Sequence, residues 1–261
     1  MGRSPVTAAP ESHCLVLRLA APLQSWGGPS PFNRRDTMPE PTKSGIIGLL
    51  AAAQGRRRQD PIEDLLGLSL GVRTDRAGTL LRDYHTASNL DGSPLPSAQT
   101  NNRGRQKSTS PAKNTYVTTR FYLQDAVFVA AILGPHPLIC DLRNALATPL
   151  FPLALGRRSC PPTQPLLLPY PGSQGPFWPG SLIEVLQTVP REGGRRGGGQ
   201  PLPATIDDVT GDEVRSDLPR SFDPLHRSYA TRTVRHIWVN PPAPTDGGPA
   251  PDEHSPFAFM E

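Results

Sequence analysis

Two four-residue stretches, Asp83-Tyr84-His85-Thr86 and His226-Arg227-Ser228-Tyr229, set an imidazole beside hydroxyls and beside a carboxylate or a guanidinium. Such groups can take a proton from a 2′-hydroxyl, give one to a leaving oxygen and steady developing charge, which is what metal-free RNA cleavage requires. A His next to a Tyr is more commonly a hydrogen-bonded structural residue, so neither stretch establishes catalysis. Cys14, Cys140 and Cys160 stand far apart, with no C-x-x-C pair and no His spacing that closes a zinc site. Neither a disulfide nor a metal is expected, and no phosphate-loop or dinucleotide motif calls for a cofactor.

The charge pattern points to binding. The 261-residue chain has a formal charge of +4, and its 27 basic residues comprise 24 Arg and only three Lys. Arg offers a planar fork suited to phosphates and base edges, although GC-rich codon usage would raise Arg, Pro, Gly and Ala together. Distribution discriminates better than total. Between Asp91 and Asp125 there is no acid, but there are Arg103, Arg105, Lys107, Lys113 and Arg120. Asn101, Asn102, Gln106, Ser108 and Thr109 interleave with these cations and can donate to phosphate or ribose. The alternative is a solvated loop. A second cluster, Gln24-Ser25-Trp26-Gly27 with Arg34 and Arg35, lies just before Lys43 and Ser44 at an expected helix start, where free N–H groups favour an anion. Trp26 there is set either to stack on a base or to pack on the core. Gly156-Arg157-Arg158-Ser159 is a basic turn with no acid between Asn144 and Ile183, and offers another phosphate contact.

The elements that must position these groups can be read from periodicity. His13 to Ala20 alternates as a strand with one face fully apolar. Pro41 and Thr42 open a helix over Lys43 to Ala53, with Ile46, Ile47, Leu49 and Leu50 as its core stripe. A helix over Pro61 to Leu68, capped by Asp60, and a strand over Leu70 to Asp75 follow. Ser88 to Thr115 carries no convincing period and is expected to protrude as a long loop. Tyr116 to Leu123 and Ala126 to Leu133 read as a hairpin, and Pro137 to Ala147 as a helix. A helix over Leu182 to Val189 and a strand over Arg232 to Val239 complete the chain. The order suggests an α+β, ferredoxin-like domain over 12–150, a unit that recurs in RNA-binding proteins such as the RRM, with an inserted arm at 88–115 and a C-terminal β-rich extension over 151–240. Residues 1–11 and 241–261 are expected to be disordered. Met1 to Pro10 lacks a signal-peptide core and no stretch approaches the ~20 apolar residues of a membrane span, so a cytoplasmic location without membrane contact is expected.

Several ordered blocks carry a family resemblance: L-x-L-x-L-A-A-P-L-Q-S-W-G, R-R-D-T, P-T-K-S-G-I-I-G-L-L-A-A-A, V-R-T-D, D-Y-H-T-A, F-P-L-A-L-G-R-R-S-C-P and H-R-S-Y. Running from about Leu15 to Val239, they resemble the CasD-type, e-subtype branch of the Cas-five family in type I-E CRISPR Cascade. The resemblance implies a RAMP-superfamily subunit that binds and caps the 5′ handle of the guide RNA. It also implies a backbone (CasC-type) and a large (CasA-type) subunit as neighbours, and target DNA met through the assembled complex. The Ser88 to Thr115 arm takes the place of a thumb that folds over the RNA. Arg73 (in V-R-T-D) and Arg227 (in H-R-S-Y) join Gln24, Ser25, Trp26, Arg34, Arg35, Lys43, Ser44, His85 and the arm and turn cations as candidate RNA contacts. Because RNA processing in type I-E systems is assigned to a CasE-type endonuclease, Asp83, His85 and His226 are expected to be structural or RNA-contacting rather than catalytic. In the c-subtype branch the equivalent subunit cuts RNA, which keeps a metal-independent endoribonuclease as the alternative. The Gly193 to Gly199 stretch and the acidic tail depart from the family pattern.

Overall fold

The computed structural model describes residues 13–28, 33–89, 95–103, 105–172, 175–193 and 200–244; of the segments expected to be disordered, 1–11 and 245–261 lie outside them, as does most of the Gly193–Gly199 stretch, while 241–244 are described. It is a mixed α/β fold dominated by antiparallel sheets. The main sheet has seven strands in the order β10-β1-β9-β4-β11-β13-β12. These are β1 (His13–Ala20), β4 (Ser69–Arg76), β9 (Val127–Leu133), β10 (Trp178–Pro179), β11 (Leu202–Asp207), β12 (Glu213–Ser221) and β13 (Ser228–Val239). Helices α1 (Lys43–Ala53) and α3 (His136–Ala147) pack on one face, and α4 (Leu182–Thr188) on the other.

This two-sided cover explains why β9 is apolar along its whole length and β1 everywhere but at His13 and Arg18. Leu15, Leu17 and Leu19 meet Phe128, Ala130 and Ile132 in the core under α1 and α3. Cys14 and Val16 meet Val129 and Ala131 in the core under α4. Successive strand residues point to opposite faces, so a strand covered on both sides needs apolar residues at every position.

Helix α1 begins where Thr42 accepts a hydrogen bond from the Gly45 N–H at 3.2 Å. Gly45 is demanded by packing, because a Cβ there would lie 2.7 Å from the Trp26 ring. The helix expected over Pro61 to Leu68 is only α2 (Glu63–Leu66). Asp60 does not cap it, since its carboxylate accepts from the Arg57 N–H at 2.7 Å and closes the preceding turn.

Two expectations about the middle of the chain are corrected. Tyr116 to Leu123 and Ala126 to Leu133 are not a hairpin. The first belongs to β8 (Thr115–Gln124) in a second sheet and the second to β9 in the main sheet, with Asp125 turning between them at φ 56°. Nor is Ser88 to Thr115 a structureless loop. β5 (Thr79–Ser88) pairs with β8 along its whole length, and β6 (Pro96–Thr100) with β7 (Gln106–Ser108) forms a small sheet between them. The alternation in β5 is easy to miss because it faces solvent on both sides. β2 (Leu23–Gln24) and β3 (Arg34–Arg35) line the other edge of β8.

Arg73, an expected RNA contact, is fully buried. Its Nε and Nη2 grip Asp75 at 2.6 and 2.8 Å, and its remaining donors reach the Leu186, Val189 and Pro190 carbonyls at 2.6 to 2.8 Å. The guanidinium therefore closes the C-terminal end of α4, where carbonyls lack helical partners and the dipole favours a cation. Lys43 is likewise internal: its ammonium meets Asp207 at 2.6 Å, while its backbone N–H donates to Asp217 at 2.8 Å. The anion expected at the start of α1 is thus a carboxylate from β12, itself held by Arg232.

Arg73→Met takes the guanidinium donors from Asp75, which keeps the Glu192 N–H, and strips several carbonyls of theirs, all in a buried site. The expected loss is about 3–5 kcal/mol, read from the urea midpoint. An unchanged midpoint would refute the capping role. A second outcome concerns acid. Burial alone would raise the Asp217 pKa, but hydrogen bonds and charge from Arg232, with the Lys43 N–H, outweigh it and hold the carboxyl below its ordinary 3.8. Hydrogen bonds from Arg215 and then His236 pull Glu213 from 4.5 to about 2. Both groups are depressed on folding, so the stability they contribute is present above those ordinary values and disappears as pH falls through the depressed range. Thermal midpoints measured across pH are expected to hold level down to about pH 5 and to fall below about pH 4.

Candidate nucleic-acid interface

The second sheet presents the cations. Residues paired across the ladder share a face, so the register of β5, β8 and β3 sorts them. Arg34, Thr119, Tyr84, Arg82 and Phe121 lie on one face; Arg35, Arg120, Asp83, His85 and Thr118 lie on the other. On the first face the Arg34 guanidinium sits 4.7 Å from the centroid of the Phe121 ring and is braced by Asp36 at 2.8 Å. Its side chain is still 63% exposed. Arg82 is exposed two residues before Tyr84, itself 66% exposed. On the second face Arg120 donates to Thr118 at 3.2 Å, and His85 lies 3.5 Å from Asp83.

Beyond this, Arg103, Arg105, Lys107 and Lys113 are all exposed. The Asn101 side-chain oxygen accepts the Arg103 and Arg105 N–H groups at 2.9 and 3.1 Å and so shapes the turn that displays them. Thr109 does the same for the Lys113 N–H at 3.0 Å. Lys113 also lies 5.7 Å from the centroid of Tyr116.

The cluster Gln24, Ser25 and Trp26 is corrected outright. All three are buried, Trp26 completely. Gln24 uses its amide fully: Nε2 donates to Leu19 O at 3.0 Å and Ala126 O at 2.7 Å, and Oε1 accepts from the Trp26 indole at 3.1 Å. Ser25 donates to Phe121 O at 3.3 Å. These residues join the two sheets, while Tyr84 on β5 is exposed. Sequence reading did not single out the exposed Tyr84 ring, Arg82 or Phe121; the alternation of β8 was the available signal. Ser44 is half-buried and its hydroxyl lies 3.2 Å from that of Thr42, within the helix cap.

The basic turn divides into a structural and an open arginine. Gly156, at φ +94°, leaves no room for a side chain, since a Cβ would meet Ser25 O at 1.7 Å. Arg157 stacks 4.7 Å from the Tyr122 centroid and donates to Phe121 O at 2.9 Å and Arg35 O at 2.7 Å. Arg158 is exposed beside it. Arg227 is exposed as well, donating to the Tyr229 hydroxyl at 2.6 Å. His226 precedes β13 in the main sheet, and among the described residues no hydrogen bond or ion pair joins it to His85.

Among the described residues no group of three or more His, Cys, Asp or Glu is arranged to hold a metal ion, and no helix is long and apolar enough to cross a membrane. Fold and surface together define a class: a mixed α/β protein that displays arginines and lysines along an antiparallel hairpin. The chain belongs to the family described as CRISPR-associated protein (Cas_Cas5), whose pattern matches residues 14–235. It is 39% identical to the CRISPR system Cascade subunit CasD of Escherichia coli (strain K12) over 169 residues, 59% of this chain and 69% of that relative. A chain of a CRISPR RNA-guided surveillance complex superposes with a TM-score of 0.71 at 36% identity, covering 92% of this chain and 95% of that one. A second solved structure, titled as a Cas protein, gives 0.63 at 32% identity, covering 88% and 98%.

Arg157→Ala removes two charge-assisted bonds that hold β8 to β3, so the unfolding midpoint should drop by the equivalent of about 1.5–3 kcal/mol. Arg158→Ala, with no such bonds, should leave it in place. Equal effects in a denaturation series would contradict the division of roles.

Proposed function

We propose that the protein is a non-catalytic, guide-RNA-binding subunit of a Cascade-type complex, gripping the 5′ handle of the RNA through the β5–β8 hairpin. The carrying observation is the charge of that segment: from residue 92 to 124 the chain holds five cations and no acid, with Arg120 on β8 and the other four exposed on the stretch that joins β5 to β8. The similarity to CasD and to a surveillance-complex chain supports the same reading. The unit β1-α1-β4-β9-α3-β10, with strands in the order β10-β1-β9-β4, is a ferredoxin-like arrangement. The β6–β7 hairpin then serves as the thumb, with backbone (CasC-type) and large (CasA-type) subunits as its neighbours. Target DNA is met through that assembly.

Phosphate neutralisation by Arg103, Arg105, Lys107 and Lys113 supplies sequence-independent hold, and Tyr84 offers a ring on which a base can stack. Arg34 and Arg82 flank that ring. The Asp83–His85 pair supports the second reading, a metal-independent ribonuclease. Incubation of purified protein with repeat RNA in EDTA separates them: the binding subunit leaves the RNA intact, whereas cleavage lost in His85→Ala supports the nuclease.

For four phosphate contacts, the logarithm of affinity against the logarithm of salt should fall with a slope of about −3. Combining Arg103→Ala with Lys107→Ala should flatten it by about one unit or somewhat more. A slope near zero in filter binding or anisotropy with handle RNA would remove the hairpin from the interface.

A further inference from the structure

Away from the basic sheet, Trp238 near the end of β13 is 70% exposed, an unusual state for the largest apolar side chain. Its cross-strand partner is Pro203, also exposed. The next pair on the same face is Thr205 with His236. Two carboxylates are fastened to that second pair. Glu40 accepts from the Thr205 hydroxyl at 3.0 Å, and Glu213 is bound to His236. Arg215 is the one guanidinium shared between them. The Glu213 side chain is 44% exposed. An apolar plate thus adjoins a row carrying more acid than base, opposite in sign to the β5–β8 hairpin.

We propose that Trp238 and Pro203 form a docking surface for a neighbouring polypeptide of the complex that presents an Arg or Lys beside an apolar side chain. The proposal rests on the reading of the chain as a complex subunit. A rigid exposed indole against proline is the kind of anchor that dominates protein interfaces. Charge complementarity selects the occupant. Carboxylates on the adjoining row repel a phosphate backbone, while the half-exposed Glu213 side chain offers a guanidinium or ammonium an acceptor on the same face, and a cation that reaches the indole also gains from the π system. The RNA surface and the protein surface then lie on different sheets of one subunit.

The test is reconstitution of the full-length chain with its cognate complex subunits and guide RNA. Trp238→Ser should weaken its incorporation about tenfold or more, and Glu213→Gln several-fold. Trp238→Phe should restore most of the affinity. The isolated Trp238→Ser chain should keep its unfolding midpoint and its affinity for handle RNA. Wild-type incorporation by Trp238→Ser sinks the docking surface alone. If the wild-type chain itself does not join the complex, the subunit reading fails and takes the docking surface with it.

Other occupants give distinct signals in the isolated chain. Trp26 and Trp178 are buried, so acrylamide quenching there reads Trp238. If deleting residues 245–261 raises quenching, the chain's own tail covers the ring. If quenching falls as protein concentration rises, a second copy covers it. If handle RNA protects it, the ring is an RNA contact. Each of these three results overturns the proposal, and no change in any of them supports it.

Discussion

The side-chain amide of Gln24 ties the two sheets of this protein together. Its nitrogen bridges the end of β1 and the residue just before β9, both in the main sheet. Its backbone meanwhile pairs with β8 in the second sheet. Trp26, bonded to the same amide, fills the space beneath and forces Gly45 on α1. Ser25, one residue on, allows only glycine at the base of the Gly156 turn. A buried amide with both donors and its oxygen satisfied holds a single geometry, because any other arrangement strands a polar group in the core. The orientation of the hairpin that carries the exposed cations therefore follows from one residue and the ring it holds.

That geometry accounts for what the sequence could and could not disclose. Strands and helices covered by a core announced themselves: β1 and α1 fall where their periodicity puts them, and β4, α3, α4 and β13 nearly so. β5 lies open on both faces and lacks an apolar stripe, so only its partner β8 reveals it. The supposed hairpin of β8 and β9 failed for another reason. Two apolar runs joined by a short turn look alike whether the strands pair or part, and a single residue at positive φ sends them to different sheets.

Charge was legible in the same uneven way. The segment from 92 to 124 carries no acid, and Arg103, Arg105, Lys107 and Lys113 stay exposed there. Lys43 and Arg73 looked equally free in sequence, yet their carboxylate and carbonyl partners are supplied largely by segments more than 110 residues further along. Membership of a recognisable block is thus not a guide to surface: Gln24, Ser25, Trp26, Lys43 and Arg73 all turn inward, whereas Arg103, Arg105, Lys107 and Lys113, which sit between blocks, are exposed.

The order of strands in the main sheet also bears on synthesis. β4 hydrogen-bonds β9 on one side and β11 on the other, with Ala204 opposite Arg73. The ribosome must add the whole stretch between these residues before that edge closes, which at about 5–20 residues per second takes on the order of ten seconds. During that interval Leu70 and Val72 stand on an open sheet edge, and the carboxylate that will hold Lys43 has not been made. The half-made subunit is a strand edge in search of a partner, so the moment of greatest hazard for this chain is its own translation.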